Sequence, residues 1–471
     1  MAHAAHLSVY GAPGYDPMTQ TGLKEGSVLT PWAVNNQGIA VGYAHKYIAG
    51  EDRGARAVRW GPGDTEATEL GNLGTDADGL TYAYAYAVNN AGTIAGYAGK
   101  YSAGTFVGSR GARWVTGTAA ATELGDLGED PNGKTYVEAY AVNDNGTIVG
   151  WGQKYTDGTD HGVTAALWAS GSEDAMELAH PVTDIGVYVF AYAYSVNDAG
   201  VAAGHGHKYD GATWLGPRAI RWDAGAGAGT ELGNLGLRAD GFSWAYGNAV
   251  NNSGVTVGYA TKYVDGNDLG TRAVLWAPAG TVAMELPSLG IDGGGSTAAE
   301  AVALNEAGVA VGYAGMYEGG IGKGRRATRW DPGAADAVVL GTLGTGADGY
   351  AWAEAHAIDE AGTVVGYAHL FVDGDDRGSR ATLWGLDGLA VDLNTLIDPN
   401  SGWTLRYARA ISENGQWIAG LGRYDPDGPG GYEAYERLFL LQIPEPSTSA
   451  FLAGAALVLA RALRRHSGVG P

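Results

Sequence analysis

Large and small side chains alternate along short stretches of the chain. Tyrosines alternate with alanines in residues 82–88, which predicts a β-strand because successive strand side chains point to opposite faces. The polar turn 89–92 follows, and Asn and Gly tolerate the left-handed conformations of a tight hairpin. Further strands are predicted at 93–98, 110–114 and 121–127.

This pattern repeats every 54 residues. Copies begin at Ala33, Ala87, Ala141, Ser195, Ala249, Ala303 and Ala357, and a shortened copy begins at Ala410. A fixed period of this length indicates a repeat architecture. Four short antiparallel strands per repeat are the content of a propeller blade. The alternative is an open β-solenoid, which needs capped ends rather than complementary half-units.

The ends of the chain favour a closed ring. The third strand of the pattern occurs eight times, but the fourth follows only seven of these occurrences, and the last repeat stops after Leu441. The unmatched strand candidate at residues 7–10 is placed to supply the missing strand, which would remove an exposed edge. The sequence therefore predicts an all-β, eight-bladed β-propeller over residues 1–443, closed by strand exchange between the termini.

Side-chain size predicts which side chains of the inner strands point toward the central axis. Crowding of eight inner strands at an axis favours small residues there, so we expect Ala83, Ala85 and Ala87 to point inward. Tyr84 and Tyr86 are then expected between blades. The repeated tryptophans, such as Trp114, are predicted to pack within the blades, and the repeated arginines, such as Arg110, to pair with carboxylates between blades.

Composition narrows the classes of function. The 471 residues include 51 acidic and 29 basic side chains, for a net charge of −22. This balance disfavours a nucleic-acid partner, whose phosphates demand basic patches. Cys is absent, which excludes a disulfide framework and thiol chemistry. The 79 glycines fall at predicted turns and so do not indicate disorder.

The repeat resembles the HAF-type extracellular repeat family. The resemblance rests on Ala-Val-Asn-Asn-Ala-Gly-Thr-Ile-Ala-Gly at 87–96, Ala-Arg-Trp at 112–114 and Leu-Gly-Asp-Leu-Gly at 124–128. It covers residues 7–441. Asp359 and Ser412 replace the motif's Asn, and Leu441 replaces its last Trp. The resemblance implies a secreted repeat protein and no particular chemistry.

Residues 444–471 resemble a PEP-CTERM sorting signal. Pro444, Glu445 and Pro446 precede an apolar run at 450–460, and Arg461, Arg464 and Arg465 follow. The run is shorter than the ~20 residues of a full membrane span, and the arginines would stay cytoplasmic and stop transfer. The resemblance implies a short hydrophobic helix, transient membrane anchoring, an exosortase-type membrane protease as partner, and a Gram-negative cell-surface or extracellular location.

The first residues carry no basic segment followed by a hydrophobic one, so they do not read as a signal peptide. Since the C-terminal signal implies export, we expect the true start to lie upstream of Met1.

Three acidic loops are candidate calcium sites. They contain the pairs Asp157 and Asp160, Asp265 and Asp268, and Asp373 with Asp375 and Asp376. Calcium prefers several oxygen ligands, but Asp and Gly are also ordinary turn residues, and both interpretations stay open. No other cofactor is predicted, and a metal at His205 and His207, on one face of a strand, is a weaker hypothesis.

No catalytic motif stands out in the sequence. We therefore expect a non-enzymatic surface protein that binds a polysaccharide or another surface protein. The irregular aromatic residues Trp214, Trp244 and Trp352 are the best surface candidates. The alternative is a secreted glycan hydrolase or lyase at the channel mouth, which a spatial cluster of unrepeated Asp, Glu, His or Tyr would favour.

Overall fold

The computed structural model describes residues 9–12, 15–16, 21–24, 32–64, 66–180, 189–225, 228–425 and 434–443. Every named element in these ranges is a β-strand except the 3₁₀ helix Leu393–Leu396. The predicted all-β class is confirmed. The sorting motif, the predicted C-terminal helix and its arginines lie outside the described residues. Among the residues described, no helix is long and apolar enough to cross a membrane.

The repeats are here called units 1 to 8 in chain order. Units 1 to 7 each contribute an inner, a second, a third and an outer strand, and unit 8 contributes the first three. The inner strands are Ala33–Val34, Ala83–Val88, Thr135–Val142, Val189–Val196, Ala245–Val250, Ala299–Leu304, Ala353–Ile358 and Trp403–Ile411. The second strands are Ala40–Ile48, Thr93–Ser102, Ile148–Thr156, Ala202–Asp210, Thr256–Val264, Ala310–Glu318, Val364–Val372 and Trp417–Tyr424.

The third strands are Glu51–Trp60, Thr105–Val115, Thr159–Trp168, Thr213–Trp222, Asn267–Trp276, Ile321–Trp330, Asp375–Trp384 and Tyr435–Gln442. The outer strands of units 1 to 7 are Thr68–Glu69, Thr122–Glu123, Ala175–Leu178, Thr230–Glu231, Ala283–Glu285, Val338–Val339 and Ala390–Asp392. Within a unit, neighbouring strands pair antiparallel in the order inner, second, third, outer.

The N-terminal strand Val9–Ala12 pairs antiparallel with the last third strand, with Val9 opposite Leu441. It therefore occupies the outer position of unit 8. The short strands Tyr15–Asp16 and Thr21–Lys24 form a hairpin, and the latter extends the short inner strand of unit 1 along its second strand.

Contacts between units follow the chain and return to its start. Each described inner strand contacts the inner strand of the next unit, and the inner strand of unit 8 contacts that of unit 1. Units 8 and 1 also share a hydrophobic cluster that includes Trp60, Trp417 and Leu440. The inner strands thus surround a common central space.

The repeated tryptophans form the core, as predicted. Trp114 is fully buried, and its indole N–H donates to the carbonyl of Gly71 in the preceding unit at 2.9 Å. The same bond from Trp168, Trp222, Trp276, Trp330 and Trp384 measures 2.8–3.0 Å. A repeated buried donor that finds a carbonyl in the neighbouring unit fixes the packing of one unit on the next.

The predicted orientation of the inner-strand alanines is wrong. Ala83 and Ala85 are fully buried and pack in one cluster with Leu70 of the preceding unit. The partly buried Tyr86 instead contacts Tyr140, its counterpart in the next unit, with ring centroids 5.6 Å apart. The small residues therefore allow close packing between units. Tyr84 and Tyr86 do lie between units, as predicted, because Tyr84 contacts Tyr43 of unit 1 and Tyr86 contacts Tyr140 of unit 3.

The predicted pairing of the repeated arginines is also wrong. The Nε of Arg56 lies 3.1 Å from Glu69 of its own unit, and its Nη1 donates to the carbonyl of Thr81 in the next unit at 2.8 Å. Arg110 additionally reaches Glu129 in the connection to the next unit. The same pairing within a unit joins Arg110 to Glu123, Arg218 to Glu231 and Arg272 to Glu285. These arginines link units mainly through main-chain oxygens.

Candidate functional site

The strand order gives the molecule two unlike faces. The turn face carries the turns between inner and second strands, such as residues 89–92, and the loops between third and outer strands. The hairpin face carries the hairpins between second and third strands, such as residues 103–104, and the connections to the next unit.

The three acidic loops lie on the hairpin face and form two-residue hairpins. Asp157 and Gly158 have φ values of 50° and 75°, and Thr156 pairs with Thr159 around them. Asp265 and Asp373 have φ values of 49° and 55°. Positive φ at both central residues is the geometry of a type I′ turn, which Asp-Gly favours. The turn thus accounts for the first aspartate of each pair.

The second aspartate of each pair stabilises the turn that follows. Asp160 Oδ1 accepts the N–H of Gly162 at 2.8 Å. Asp268 and Asp376 do the same for Gly270 and Gly378. Asp375 pairs with Arg377. Among the described residues no three His, Asp or Glu side chains come together as a metal site, and calcium binding stays a prediction.

Units 2 and 4 carry an aromatic ring where units 1, 3, 5 and 7 carry this second aspartate. The residues at this position are Asp52, Phe106, Asp160, Trp214, Asp268, Gly322 and Asp376 in units 1 to 7. A carboxylate here holds a turn, whereas a ring here adds apolar surface to the hairpin face. From unit 1 to unit 7, this position of the hairpin face therefore alternates between an acidic and an uncharged residue.

Trp214 is the centre of an aromatic cluster shared by units 4 and 5. Its side chain is 42 % exposed. Its ring centroid lies 5.3 Å from Phe242, 6.4 Å from Trp244 and 5.6 Å from His207. Trp244 continues the cluster inward by stacking on Tyr246 at 5.9 Å. We call Trp214, Phe242, Trp244 and His207 the aromatic cluster.

A second aromatic surface lies between units 1 and 2. Tyr82, Tyr101 and Phe106 line a cavity of about 550 Å³ together with His45 and Leu80. Phe106 lies 5.7 Å from Tyr82 and 5.5 Å from Tyr101 between ring centroids. Flat apolar rings beside polar side chains are the surfaces on which sugar rings stack.

Units 6 and 7 depart from this pattern with a polar cluster. Arg325 Nη1 donates to Glu354 at 2.7 Å, and its guanidinium carbon lies 4.2 Å from the Tyr313 ring and 4.9 Å from the Trp352 ring. Tyr313 in turn donates its hydroxyl to Glu300 at 3.1 Å. We call Glu300, Tyr313, Arg325, Trp352 and Glu354 the polar cluster.

The carboxyl groups of the polar cluster differ in environment. Burial raises the pKa of Glu300, whose two oxygens accept from Tyr313 and Asn248. Glu354 faces the permanently charged Arg325. Burial likewise raises the pKa of Glu138, which lies at the equivalent inner-strand position in unit 3. A buried carboxyl group with a raised pKa is the kind of group that acid–base enzymes use.

The hypothesis of a metal at His205 and His207 finds little support. His205 is only 3 % exposed and lies against the ring of Tyr246 with centroids 4.0 Å apart. Burial lowers the pKa of His205 to about 3, so the ring is neutral. It occupies the second-strand position held by Tyr97 and Tyr259 in other units. His205 is a packing residue, and His207 belongs to the aromatic cluster.

The turn face closes the central space with a ladder of asparagines. Asn89 accepts the N–H of Thr93 on Oδ1 at 2.8 Å and donates from Nδ2 to the carbonyl of Asn143 at 2.8 Å. The same link between units runs from Asn35, Asn143, Asn197, Asn251 and Asn305. Asp359 ends the ladder, and Asn414 of unit 8 bonds back to Asn36 of unit 1.

This ladder borders a central cavity of about 220 Å³. Side chains of the next turn position, including Asp144, Asp198, Glu306 and Glu413, line its mouth. The carboxylates of Asp144, Asp198 and Glu306 each accept a main-chain N–H from the preceding unit. These hydrogen bonds give the carboxylates at the cavity mouth a structural role.

The site could be found only in part from the sequence. Trp214 and Trp244 stood out as aromatics outside the repeat, and the structure brings them together, whereas it places Trp352 in the polar cluster. The ladder was missed because Asn also fits a turn, although its recurrence at one position in six units was a signal. The polar cluster was missed too. Its signal was the basic run Gly322-Lys323-Gly324-Arg325-Arg326 in an acidic chain.

Comparisons with solved structures find alignments of low similarity. The β-propeller domain of the Trilobed protease from Pyrococcus furiosus aligns with a TM-score of 0.38 at 9 % identity, over 81 % of this chain and 97 % of that one. Polysaccharide lyase Uly1 aligns with a TM-score of 0.39 at 10 % identity, over 94 % of this chain and 98 % of the lyase.

A puromycin hydrolase variant aligns with a TM-score of 0.44 at 12 % identity, over 89 % of this chain and 62 % of the hydrolase. No family model and no curated protein matches the chain. At this level of similarity the aligned structures support no conclusion about activity.

Proposed function

We propose that the chain is an exported, non-enzymatic β-propeller that binds a polysaccharide on its hairpin face. Its eight units would be eight blades, closed by the pairing of Val9–Ala12 with Tyr435–Gln442. Three observations support closure: this terminal pairing, the contact between the inner strands of units 8 and 1, and the bond from Asn414 to Asn36.

Export and sorting to a Gram-negative cell surface rest on the sequence alone. Pro444, Glu445 and Pro446 and the arginines that follow them resemble a sorting signal. We propose that an exosortase-type protease cuts the chain at this signal. Replacement of Glu445 by Gln is expected to leave the protein in the membrane fraction. Release of this variant at the wild-type rate would refute the sorting proposal.

The observation that carries the binding proposal is the exposed aromatic cluster. A large ring such as Trp214, 42 % exposed beside three further rings, is unusual on a soluble surface unless it meets a ligand. Stacking on such rings does not depend on charge. A neutral polysaccharide therefore suits a chain whose net charge is −22.

A glycan array tests this proposal. The full chain is expected to bind neutral polysaccharides, and Trp214→Ala to weaken binding by about tenfold or more, since stacked aromatic contacts contribute roughly 1–3 kcal/mol. Leu386→Ala is the matched control because Leu386 is 71 % exposed on the turn face. The same array with and without Ca²⁺ tests the calcium prediction. Absence of glycan binding would remove this ligand class.

A glycan hydrolase or lyase is the second candidate, and the polar cluster favours it. Glu300, Tyr313 and Glu354 come together there, and carboxyl and hydroxyl groups in mutual contact are a feature expected of an enzyme. Tyr313 is the tyrosine of the repeat, and Glu300 and Glu354 share the repeat position of Glu138. Release of reducing or unsaturated sugar ends from the bound polysaccharide would support this candidate, provided that Glu300→Gln abolishes the release. Binding without any release supports the non-enzymatic proposal.

A further inference from the structure

The groove between units 6 and 7 presents positive charge on a strongly acidic molecule. Lys323 and Arg325 lie in the third strand of unit 6 near the hairpin face. In units 1 to 5 and 7 the residues at the position of Arg325 are Ala55, Ser109, Val163, Pro217, Thr271 and Ser379. Arg325 is therefore specific to this groove and is not part of the repeat.

The position next to this groove in the hairpin also differs between units. Unit 6 carries Gly322 where unit 2 carries Phe106 and unit 4 carries Trp214. No side chain from this position covers Arg325, which keeps 35 % of its side-chain surface exposed. Lys323 extends to the carbonyl of Asp348 in the connection to unit 7. A ligand approaching from the hairpin face meets this cationic edge directly.

The guanidinium of Arg325 is held in place while part of it stays free. The rings of Tyr313 and Trp352 support it by cation–π contact at 4.2 and 4.9 Å, which orients the group. Its Nη1 donates to Glu354. Its Nε and Nη2 groups donate to no other residue that the structure describes. A fixed pair of parallel N–H donors matches a carboxylate bidentately.

We infer that this groove is a subsite for a sugar that bears a carboxylate. The carboxylate would bind the free edge of Arg325, a ring hydroxyl would donate to Glu354, and the sugar ring would lie beside Trp352. The adjacent Glu354 carboxylate offsets part of the charge of Arg325, whereas the charges of acidic residues farther than about 8 Å are largely screened at physiological ionic strength. The inference rests on the proposed glycan-binding function and adds to the aromatic cluster, which takes neutral sugar rings, a second subsite that takes a charged sugar residue.

Two small probes test the subsite on the full chain. Sodium glucuronate carries the charge, and its uncharged methyl ester keeps the shape. Binding is followed through the indole N–H signals of ¹⁵N-labelled tryptophan, with Trp352 assigned by Trp352→Phe. Glucuronate is expected to bind at least about tenfold more tightly than the ester, as is typical of hydrogen bonds to charged groups, and to shift the Trp352 signal.

Variants separate the subsite from general electrostatics. Arg325→Ala is expected to abolish the preference for glucuronate, and Arg325→Lys to keep only part of it because Lys lacks the planar pair of donors. Arg377→Ala is the matched control, since Arg377 is an exposed arginine of the unit 7 hairpin, paired with Asp375. If Arg325→Ala does not fold, Arg325→Lys and Arg325→Gln carry the comparison.

The subsite would be overturned by any of three results. These are equal affinities for glucuronate and its methyl ester, no binding of glucuronate, and a preference for glucuronate that survives in Arg325→Ala. Neutral polysaccharide binding that depends on Trp214 is measured in parallel. If that binding persists while the charge preference is absent, the subsite alone fails. If no neutral glycan binds, the proposed function fails.

Discussion

At the scale of single residues, His205 shows how a departure from the repeat changes chemistry without making a site. It replaces a tyrosine found at the same position in units 1, 2, 5, 6 and 7. Burial lowers its pKa to about 3. Its Nδ1 has no hydrogen-bond partner among the described residues. Protonation of this ring is therefore costly in the folded protein.

His205 is expected to make the protein sensitive to acid. The unfolded chain binds a proton at His205 below about pH 6.5, whereas the folded chain does not until about pH 3. Stability is therefore full above pH 6.5 and falls as the pH drops toward 3, by up to about 1.4 kcal/mol per pH unit for one proton. His205→Tyr is expected to reduce this slope.

Urea unfolding of the wild type and His205→Tyr at pH 7 and pH 5 measures the effect. The wild type should lose more stability than the variant between these values. Burial also lowers the pKa of His356 to about 4, so the variant keeps a residual slope. Identical losses in both proteins would show that His205 does not titrate in this way.

The aromatic cluster was easier to predict from the sequence than the polar cluster. Trp214 is a large apolar side chain in a predicted loop, and such a residue is visible in one sequence. The role of Arg325 depends on Tyr313 of the second strand of unit 6, on Glu354 of the inner strand of unit 7, and on Trp352, which directly precedes that inner strand. No local pattern records that these strands meet.

At the scale of the elements, the asparagine ladder turns a hairpin residue into a connector between units. Asn143 is 5 % exposed. Its Oδ1 accepts from Thr147 within the turn, and its Nδ2 donates to the carbonyl of Asn197 in the next unit at 2.7 Å. One side chain thus fixes both the turn and the neighbouring unit.

Asn143→Ala is expected to lower the free energy of unfolding by about 1–3 kcal/mol, because a buried N–H and a buried carbonyl lose their partner. Asn143→Asp should lose less, since it keeps the acceptor for Thr147, as Asp359 does in unit 7. Asn145→Ala is the control, because Asn145 bonds the next unit from an exposed position. Urea denaturation measures all three. Equal stability of Asn143→Ala and Asn145→Ala would contradict the connecting role.

The positions of the strands were predictable from the sequence, but the directions in which the inner-strand side chains point were not. The alternation of Tyr and Ala located the inner strand of unit 2 correctly. The register shifts between Ala85 and Ala87, so alternation breaks at this bulge, and Ala83 and Ala85 pack between units. The second strand also runs to Ser102 rather than to residue 98, because the hairpin at 103–104 is tight.

At the scale of the whole molecule, the terminal strands decide whether the ring is closed. The incomplete last repeat predicted that an N-terminal strand would complete it, and Val9–Ala12 does pair with Tyr435–Gln442. Deletion of residues 1–12 is expected to expose this edge. Hydrogen exchange at the amides of Phe439 and Leu440 should then accelerate, while exchange at Trp276 in unit 5 stays unchanged.

Deletion of residues 1–5 is the control, since it retains the paired strand. Unchanged exchange at Phe439 and Leu440 after the longer deletion would show that the N-terminal strand does not close the ring. The pairing of the terminal strands was predictable because it follows from counting strands. The proposed binding face was not, because it depends on which loops lie together on the hairpin face.

Hydroxyl-radical footprinting of the full chain, with and without a neutral polysaccharide selected on the array, tests most directly whether the hairpin face binds a polysaccharide. We expect the polysaccharide to protect Trp214 and Phe242 on the hairpin face and to leave Leu386 on the turn face unchanged. Protection at Leu386 with Trp214 unchanged would contradict this expectation.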